Sequence, residues 1–167
     1  EWLPQEAILF DGAEVRRQAH FDVDGAGRLL ASDILVFGRL ARGESFRRGS
    51  LFDRWSIRRG GRLVWTDVLR LAGDLPAIFA DPAALAGAEA LGTAVYVGGE
   101  AADLLALARA VTAEAGCRAG STLVNGLLLT RLIGPAVAVR QATVRLLGAL
   151  RHAALGLPPA LPKVCYN

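Results

Sequence analysis

With 167 residues, 53% of them hydrophobic and 21% charged, the chain has enough apolar side chains for one folded core, which excludes a disordered or low-complexity segment. Its formal net charge of +3 comes from arginines scattered through strand-like runs and not clustered with aromatics, so no nucleic-acid partner is expected. No apolar run reaches the roughly 20 residues that cross a bilayer, and the start lacks the basic-then-apolar order of a signal peptide, so a soluble, cytoplasmic protein with no membrane partner is expected.

The chain has no methionine and starts at Glu1 inside a patterned segment, which points to the C-terminal part of a longer protein. The expected organisation is one domain over 1–167, with a β-hairpin region over 1–75 and a mixed helix and strand region over 76–167. Residues 14–23 and 28–37 flank "DGAG", and Asp-Gly between strand-like runs predicts a hairpin. "VFGRLARGESF" (36–46) then sets Gly38-Arg39 and Gly43-Glu44 between two apolar runs. Glycine suits a turning or closely approached backbone, whereas the charges ask for partners. Residues 51–59 and 62–71 flank Gly60-Gly61 and predict a second hairpin. "GRLLASDIL" (27–35) is similar to "GRLVWTDVL" (61–69), so two alike, stacked β units are expected, with Asp33 and Asp67 at equivalent places. Leu63, Trp65, Asp67, Leu69 and Leu71 share one face of the last strand. Counting outward from a two-residue Gly60-Gly61 turn puts Arg54 across from Asp67 and predicts an ion pair.

After residue 75 the pattern changes. "DPAALAGAEALG" offers Asp81 as N-cap and Pro82 as first helical residue of a short helix. "TAVYVGG" (93–99) predicts a strand, and Leu104, Ala108, Val111 and Ala115 predict an amphipathic helix over 100–115 that stops at Gly116. "STLVNGLLLTRLIG" reads as strand, Asn125-Gly126 turn and strand, with Arg131 in an apolar run where burial would demand a carboxylate. Pro135 opens a helix to about Leu155, with Val139, Ala142, Leu146 and Leu150 on one face. The fold class is thus a β-rich α+β protein, mainly antiparallel strands in layers plus two substantial helices.

Phosphate loops, dinucleotide fingerprints, zinc spacings and a nucleophile elbow are missing, so no tightly bound cofactor is expected. His20 and His152 have no identifiable activating group, and Cys117 follows a helix stop as a core thiol would. The carboxylates Asp33, Glu44, Asp53 and Asp67 remain, set among apolar and Arg residues. They are either ion-pair partners of Arg39, Arg54, Arg62 or Arg131, or a weak oxygen-ligand path for a divalent ion.

"EWLPQEAILFDGA", "SDILVFGRLARGESF", "GGRLVWTDVLRL" and "STLVNGLLLTRLIGP", in this order, resemble the successive signature segments of the urease accessory protein D family, also called the H type. The resemblance runs across nearly the whole chain and covers the C-terminal part of a family member. It implies a non-enzymatic, largely β protein with strands layered in helicoid fashion. Such a protein binds apo-urease and, with accessory protein F and the GTPase accessory protein G, forms a scaffold through which nickel reaches the urease active site, by a proposed internal passage. Gly38, Arg39, Gly43 and Glu44 match the family's Gly-Arg and Gly-Glu pairs, Asp33 the preceding Asp, Asp67 the Asp after Gly-Arg-Leu, and Arg131 the Arg before the last helix. The tail departs from the family pattern at Lys163 and Cys165.

The expected function is therefore nickel-insertion scaffolding, with transient Ni²⁺ guided along Asp33, Glu44 and Asp67 and with Arg39 and Arg54 organising those carboxylates. One alternative is a structural adaptor in which every carboxylate is an ion-pair partner. Another is a hydrolase using Glu44 or Asp67 as general base with His20. An exposed edge would let the chain by itself pair into a homodimer.

Overall fold

The computed structural model describes residues 1–162, so Lys163 and Cys165 lie outside the described residues. The chain runs through Ala7–Ile8 (β1), Glu14–Val23 (β2), Leu29–Val36 (β3), a 3-10 turn at Leu40–Arg42, Ser50–Arg59 (β4) and Arg62–Leu71 (β5). Helix Leu75–Ala80 (α1), Ala90–Val97 (β6), helix Leu105–Thr112 (α2), Arg118–Val124 (β7), Leu127–Gly134 (β8) and helix Ala136–Leu155 (α3) follow. One sheet has the order β1-β3-β6-β8-β7 and a second the order β2-β4-β5. The β-rich α+β class holds, but both sheets are mixed, because β1 lies parallel to β3 and β2 parallel to β4.

The expected first hairpin does not form. The Gly27 N–H donates to the Asp24 carbonyl at 2.9 Å and closes a turn, yet β2 and β3 enter different sheets. Burial explains the separation. "LLASDILV" is covered on both faces and takes a place inside the larger sheet, against β6, whereas β2 is exposed at every second residue and suits an edge. The edge strand then pairs with β4 along all ten residues, from Glu14 opposite Ser50 to Val23 opposite Arg59. Asp33 and Asp67 thus stand on facing sheets and not in stacked copies of one hairpin.

The second hairpin does form. Gly60 and Gly61 have φ of 54° and 78°, the left-handed pair that a two-residue turn needs, and Arg59 pairs with Arg62. A register shift between Ile57 and Arg58 then moves everything beyond it by one residue. Asp67 comes opposite Trp55, Arg54 comes opposite Val68, and the expected Arg54–Asp67 pair does not exist. The same shift leaves Leu63 45% exposed, while Trp65 and Leu71 keep the inward face.

Asp81 and Pro82 do not start a helix. The short helix comes earlier: Asp74 accepts from the Ala77 N–H at 3.1 Å and Pro76 occupies its first turn. Asp81 ends that helix and folds into a tight turn through its bond from the Ala83 N–H, and Ala86 and Gly87 then take positive φ, which stops any helix there. The helix expected over 100–115 is shorter, at 105–112, because 98–104 are turns. The last helix runs as expected and ends on left-handed Gly156, with Val139, Ala142, Leu146 and Leu150 buried.

Three layers result. Helices α2 and α3 cover one face of the five-stranded sheet through Leu104, Ala108, Leu146, Leu147 and Leu150 against Leu30, Ala94, Tyr96 and Leu128. The three-stranded sheet covers the other face. At one end of that inter-sheet layer Trp55, Ile57 and Trp65 meet Ala31, Val95 and Leu127, with Trp2 and Phe21 stacked edge-on or tilted against Trp55. At the other end Leu51 and Leu71 meet Leu9, Leu35, Phe37 and Phe46. Each such large side chain removed from water contributes roughly 1.5–3 kcal/mol. Between these two apolar ends lies a polar band. Among the described residues no helix is long and apolar enough to cross a membrane.

The question raised by Gly38 has a geometric answer. The Phe46 N–H donates to the Phe37 carbonyl at 3.0 Å, so the chain returns onto itself, and at φ +120° a Gly38 Cβ would overlap the Glu44 carbonyl oxygen. Gly43 is left-handed too, but its Cβ would face open space. Gly38→Ala should cost about 3 kcal/mol and Gly43→Ala about 1 kcal/mol in chemical denaturation. Equal losses would show that the close backbone approach does not matter.

Candidate functional site

Period-two alternation turns one row of each sheet inward across the polar band. On the five-stranded sheet Asp33, Thr93 and Arg131 lie side by side in register on β3, β6 and β8. On the facing sheet Arg17 pairs in register with Asp53, and Asp67 projects from β5. The charges are complementary across the gap. The Arg17 Nε and Nη2 donate to the two oxygens of Asp53 at 3.2 and 3.0 Å, and Nη2 also reaches Asp33 Oδ2 on the other sheet. Arg131 answers from the other side, its Nη1 donating to Thr93 Oγ1 at 2.7 Å and its Nη2 to Asp67 Oδ2.

Asp33 is the most constrained member. It is 4% exposed, its Oδ2 faces Arg17, and its Oδ1 is buried without a hydrogen-bond partner. Burial pushes its carboxyl above the ordinary range, against the downward pull of the Arg17 guanidinium. Asp33, Asp53, Asp67, Thr93 and Arg131 line a cavity whose space open to a water-sized sphere is about 10 Å³, room for about one water. Three carboxylates face two guanidiniums, so the band carries a surplus carboxylate. Such a set suits an ordered water.

The other expected site residues fall elsewhere. Glu44 stands apart from Asp33 and Asp67: Arg39 grips it through Nε at 3.0 Å and through Nη2, and its Oε1 also accepts from the Asp11 N–H at 3.2 Å. Arg39 in turn lies 4.6 Å from the Phe10 ring centroid. The Arg39–Glu44 pair therefore locks the turn that Gly38 makes possible. The Arg39 hydrogen bond, ahead of the other causes, holds the Glu44 carboxyl down at about 2. Arg54 and Arg62 are exposed and join no carboxylate of the band. His20 is exposed on β2, beside Gln18 at 3.3 Å, and is not brought to Glu44 or Asp67, so the hydrolase arrangement is not assembled. Cys117 is half-buried, and burial raises its thiol pKa. Among the described residues no group of three or more His, Cys, Asp and Glu side chains is disposed to hold a metal ion.

Arg17 joins the band although the sequence reading did not single it out. The signal was available: on β2 it shares a row with Val15, Ala19, Phe21 and Val23, so it is a charge on an inward face, as Asp67 is on β5.

Replacing Arg17 by Met leaves Asp33 and Asp53 buried without a cation, and a loss of about 3 kcal/mol is expected in urea unfolding. Arg131→Met should cost only about 1 kcal/mol, because the side chains of Arg131 and Asp67 are 32% and 36% exposed and water screens them. The two acids predict opposite pH slopes. Glu44, held down at about 2, adds stability above its ordinary value of 4.5 that is lost as pH falls toward 2, and Glu44→Gln should remove that acid-side loss. Asp33, pushed up, is best tolerated protonated, so its contribution falls as pH rises from its ordinary 3.8 through its raised folded value, and Asp33→Asn should flatten that fall. Unfolding free energies across the acid range check both signs.

The chain is similar to known proteins over nearly its whole length. The family model described as UreD urease accessory protein matches residues 1–166. The urease accessory protein UreD of Xanthobacter autotrophicus is 42% identical over 156 residues, covering 93% of this chain and 54% of that protein. Those of a Methylobacterium species and of Magnetococcus marinus are each 43% identical, covering 98% of this chain and 58% of theirs. The chain spans a little over half the length of these curated relatives. On this match, over nearly its full length, the chain belongs to the UreD urease accessory protein family.

Proposed function

We propose that the chain is the part of a urease maturation scaffold that carries the nickel-facing seam, and that it is not itself an enzyme. The observation that carries this reading is the charged band between the sheets, with its surplus carboxylate and the free Oδ1 of Asp33. Exchangeable carboxylate oxygens let a divalent cation bind and leave, which a cage of Cys or His would not. Asp33 and Asp67 are the acids at the seam, with Asp53 beside them, and Arg17 and Arg131 hold them in place. Glu44 serves the same scaffold differently, by fixing the turn at 38–46. The partners in this reading are apo-urease, accessory protein F and the GTPase accessory protein G, and Ni²⁺ is cargo.

The size of the cavity limits the mechanism. Space for about one water does not admit a hydrated ion, so Ni²⁺ would have to exchange waters for carboxylate oxygens as the seam widens. Arg17 is suited to allow this, since it spans both sheets and its side chain is 28% exposed.

The test is complementation by the full-length parent of this chain with its cognate urease genes, in a host lacking its own accessory D gene. Asp33→Asn is nearly isosteric, and Asp67→Leu with Arg131→Leu removes a pair together, so both should fold and keep their partners. Urease activity and urease-bound nickel should both fall about tenfold or more in each. Full activity in variants that fold and bind would favour the adaptor role, in which the acids only satisfy arginines. Failure of the wild-type protein to restore activity would overturn the maturation reading.

A further inference from the structure

The strand register that turns Arg17 inward turns its neighbours outward, onto the uncovered face of the three-stranded sheet. The pairing places Arg16, Phe52 and Arg70 in one row across β2, β4 and β5, and Gln18, Arg54 and Val68 in the next. These arginines, scattered along the sequence, therefore stand together around one aromatic ring. The Arg16 guanidinium lies 4.3 Å from the Phe52 ring centroid, Phe52 is half-buried, and Val68 is 50% exposed. Arg16, Phe52 and Arg70 border an open groove of about 590 Å³ at the end of the sheet. Aromatic and Arg side chains side by side on an exposed sheet face are the composition of an interface hot spot.

We infer that this outer face docks an acidic protein surface, with Phe52 as its apolar anchor and Arg16, Arg54 and Arg70 as the charges that orient it. Among the described residues none of Arg16, Arg54 and Arg70 has a carboxylate partner, so a surface that covers them must bring carboxylates of its own. Glu14 and Asp22 close both ends of the β2 row and confine the basic area to its middle, too short a stripe to follow a nucleic-acid backbone. Complementary carboxylates on a partner satisfy the arginines and leave an apolar contact for Phe52 and Val68.

This inference rests on the scaffold reading only for its choice of partners. The full-length parent, carrying the photo-crosslinker in Phe52→p-benzoylphenylalanine, is co-expressed with its cognate urease genes and irradiated, and the crosslinked peptide is sequenced. The expected product joins position 52 to an Asp- and Glu-rich segment of another protein, and its yield falls with added salt. Arg16→Ser with Arg54→Ser and Arg70→Ser, a surface variant that should melt as the wild type does, should weaken that complex about tenfold. A crosslink to the parent's own chain, to a second copy, to nucleic acid or to a non-acidic segment overturns the inference, as does undiminished binding by the triple variant. The two readings fail separately. An acidic crosslink beside inactive urease supports the docking face and removes the maturation role, whereas normal maturation with no crosslink at position 52 removes the docking face alone.

Discussion

Arg17 is the tie on which the architecture depends. From an edge strand it holds Asp53 on its neighbour with two bonds and reaches Asp33 on the opposite sheet. Cohesion between the sheets comes from the apolar clusters at either end, around Trp55 and around Leu51. Registration comes from these apolar side chains and the charges together, since both occupy the inward row of β2. Sliding β2 by one residue would turn Arg17 to solvent and bring a neighbour inward, leaving Asp33 and Asp53 uncompensated in the band. The same slip would turn Val15, Ala19, Phe21 and Val23 to solvent as well. The polar band therefore helps to fix one register, and that register also sets the outward face that presents Arg16 and Phe52.

What the sequence shows and what it hides follow from the range of the interactions. The hairpin at Gly60-Gly61 was legible because its turn chemistry and its alternation are local, as was the last helix, between Pro135 and Gly156. The partner of Asp67 was hidden by a single irregularity at Ile57 and Arg58, which no composition signal announces and which moves every later pair by one. Asp24-Gly25 correctly marks a reversal, but whether two strands then pair depends on how many of their faces need covering. The parallel pairing of β2 with β4 is decided by burial of β3, not by the turn. Arg131 was read correctly as needing a carboxylate, because a charge in an apolar run has few alternatives. Arg17 carried the same signal in β2, where strict alternation made the inward row readable.

Function follows the same division. The signature segments place the chain in its family, and the fold explains what two of their charged pairs do. Arg39 and Glu44 close a loop that only glycine at 38 permits, which is a structural task. Asp33 and Asp67 come from separate segments and meet only because two sheets face each other. Their surroundings differ too, since Asp33 is nearly sealed while Asp67 is about a third exposed. The seam thus grades from a solvent-facing acid at Asp67 to a desolvated one at Asp33, a difference that a single cluster of equivalent acids would lack.

The central claim, that the band between the sheets is a place where cargo metal rests, is tested most directly by anomalous diffraction at the nickel edge from crystals of the full-length protein grown with Ni²⁺. The account predicts anomalous density in the seam, bonded to Asp33 Oδ1 or to Asp67. Nickel bound elsewhere on the protein, with the seam holding only an ordered water between Asp33 and its arginine, would contradict it.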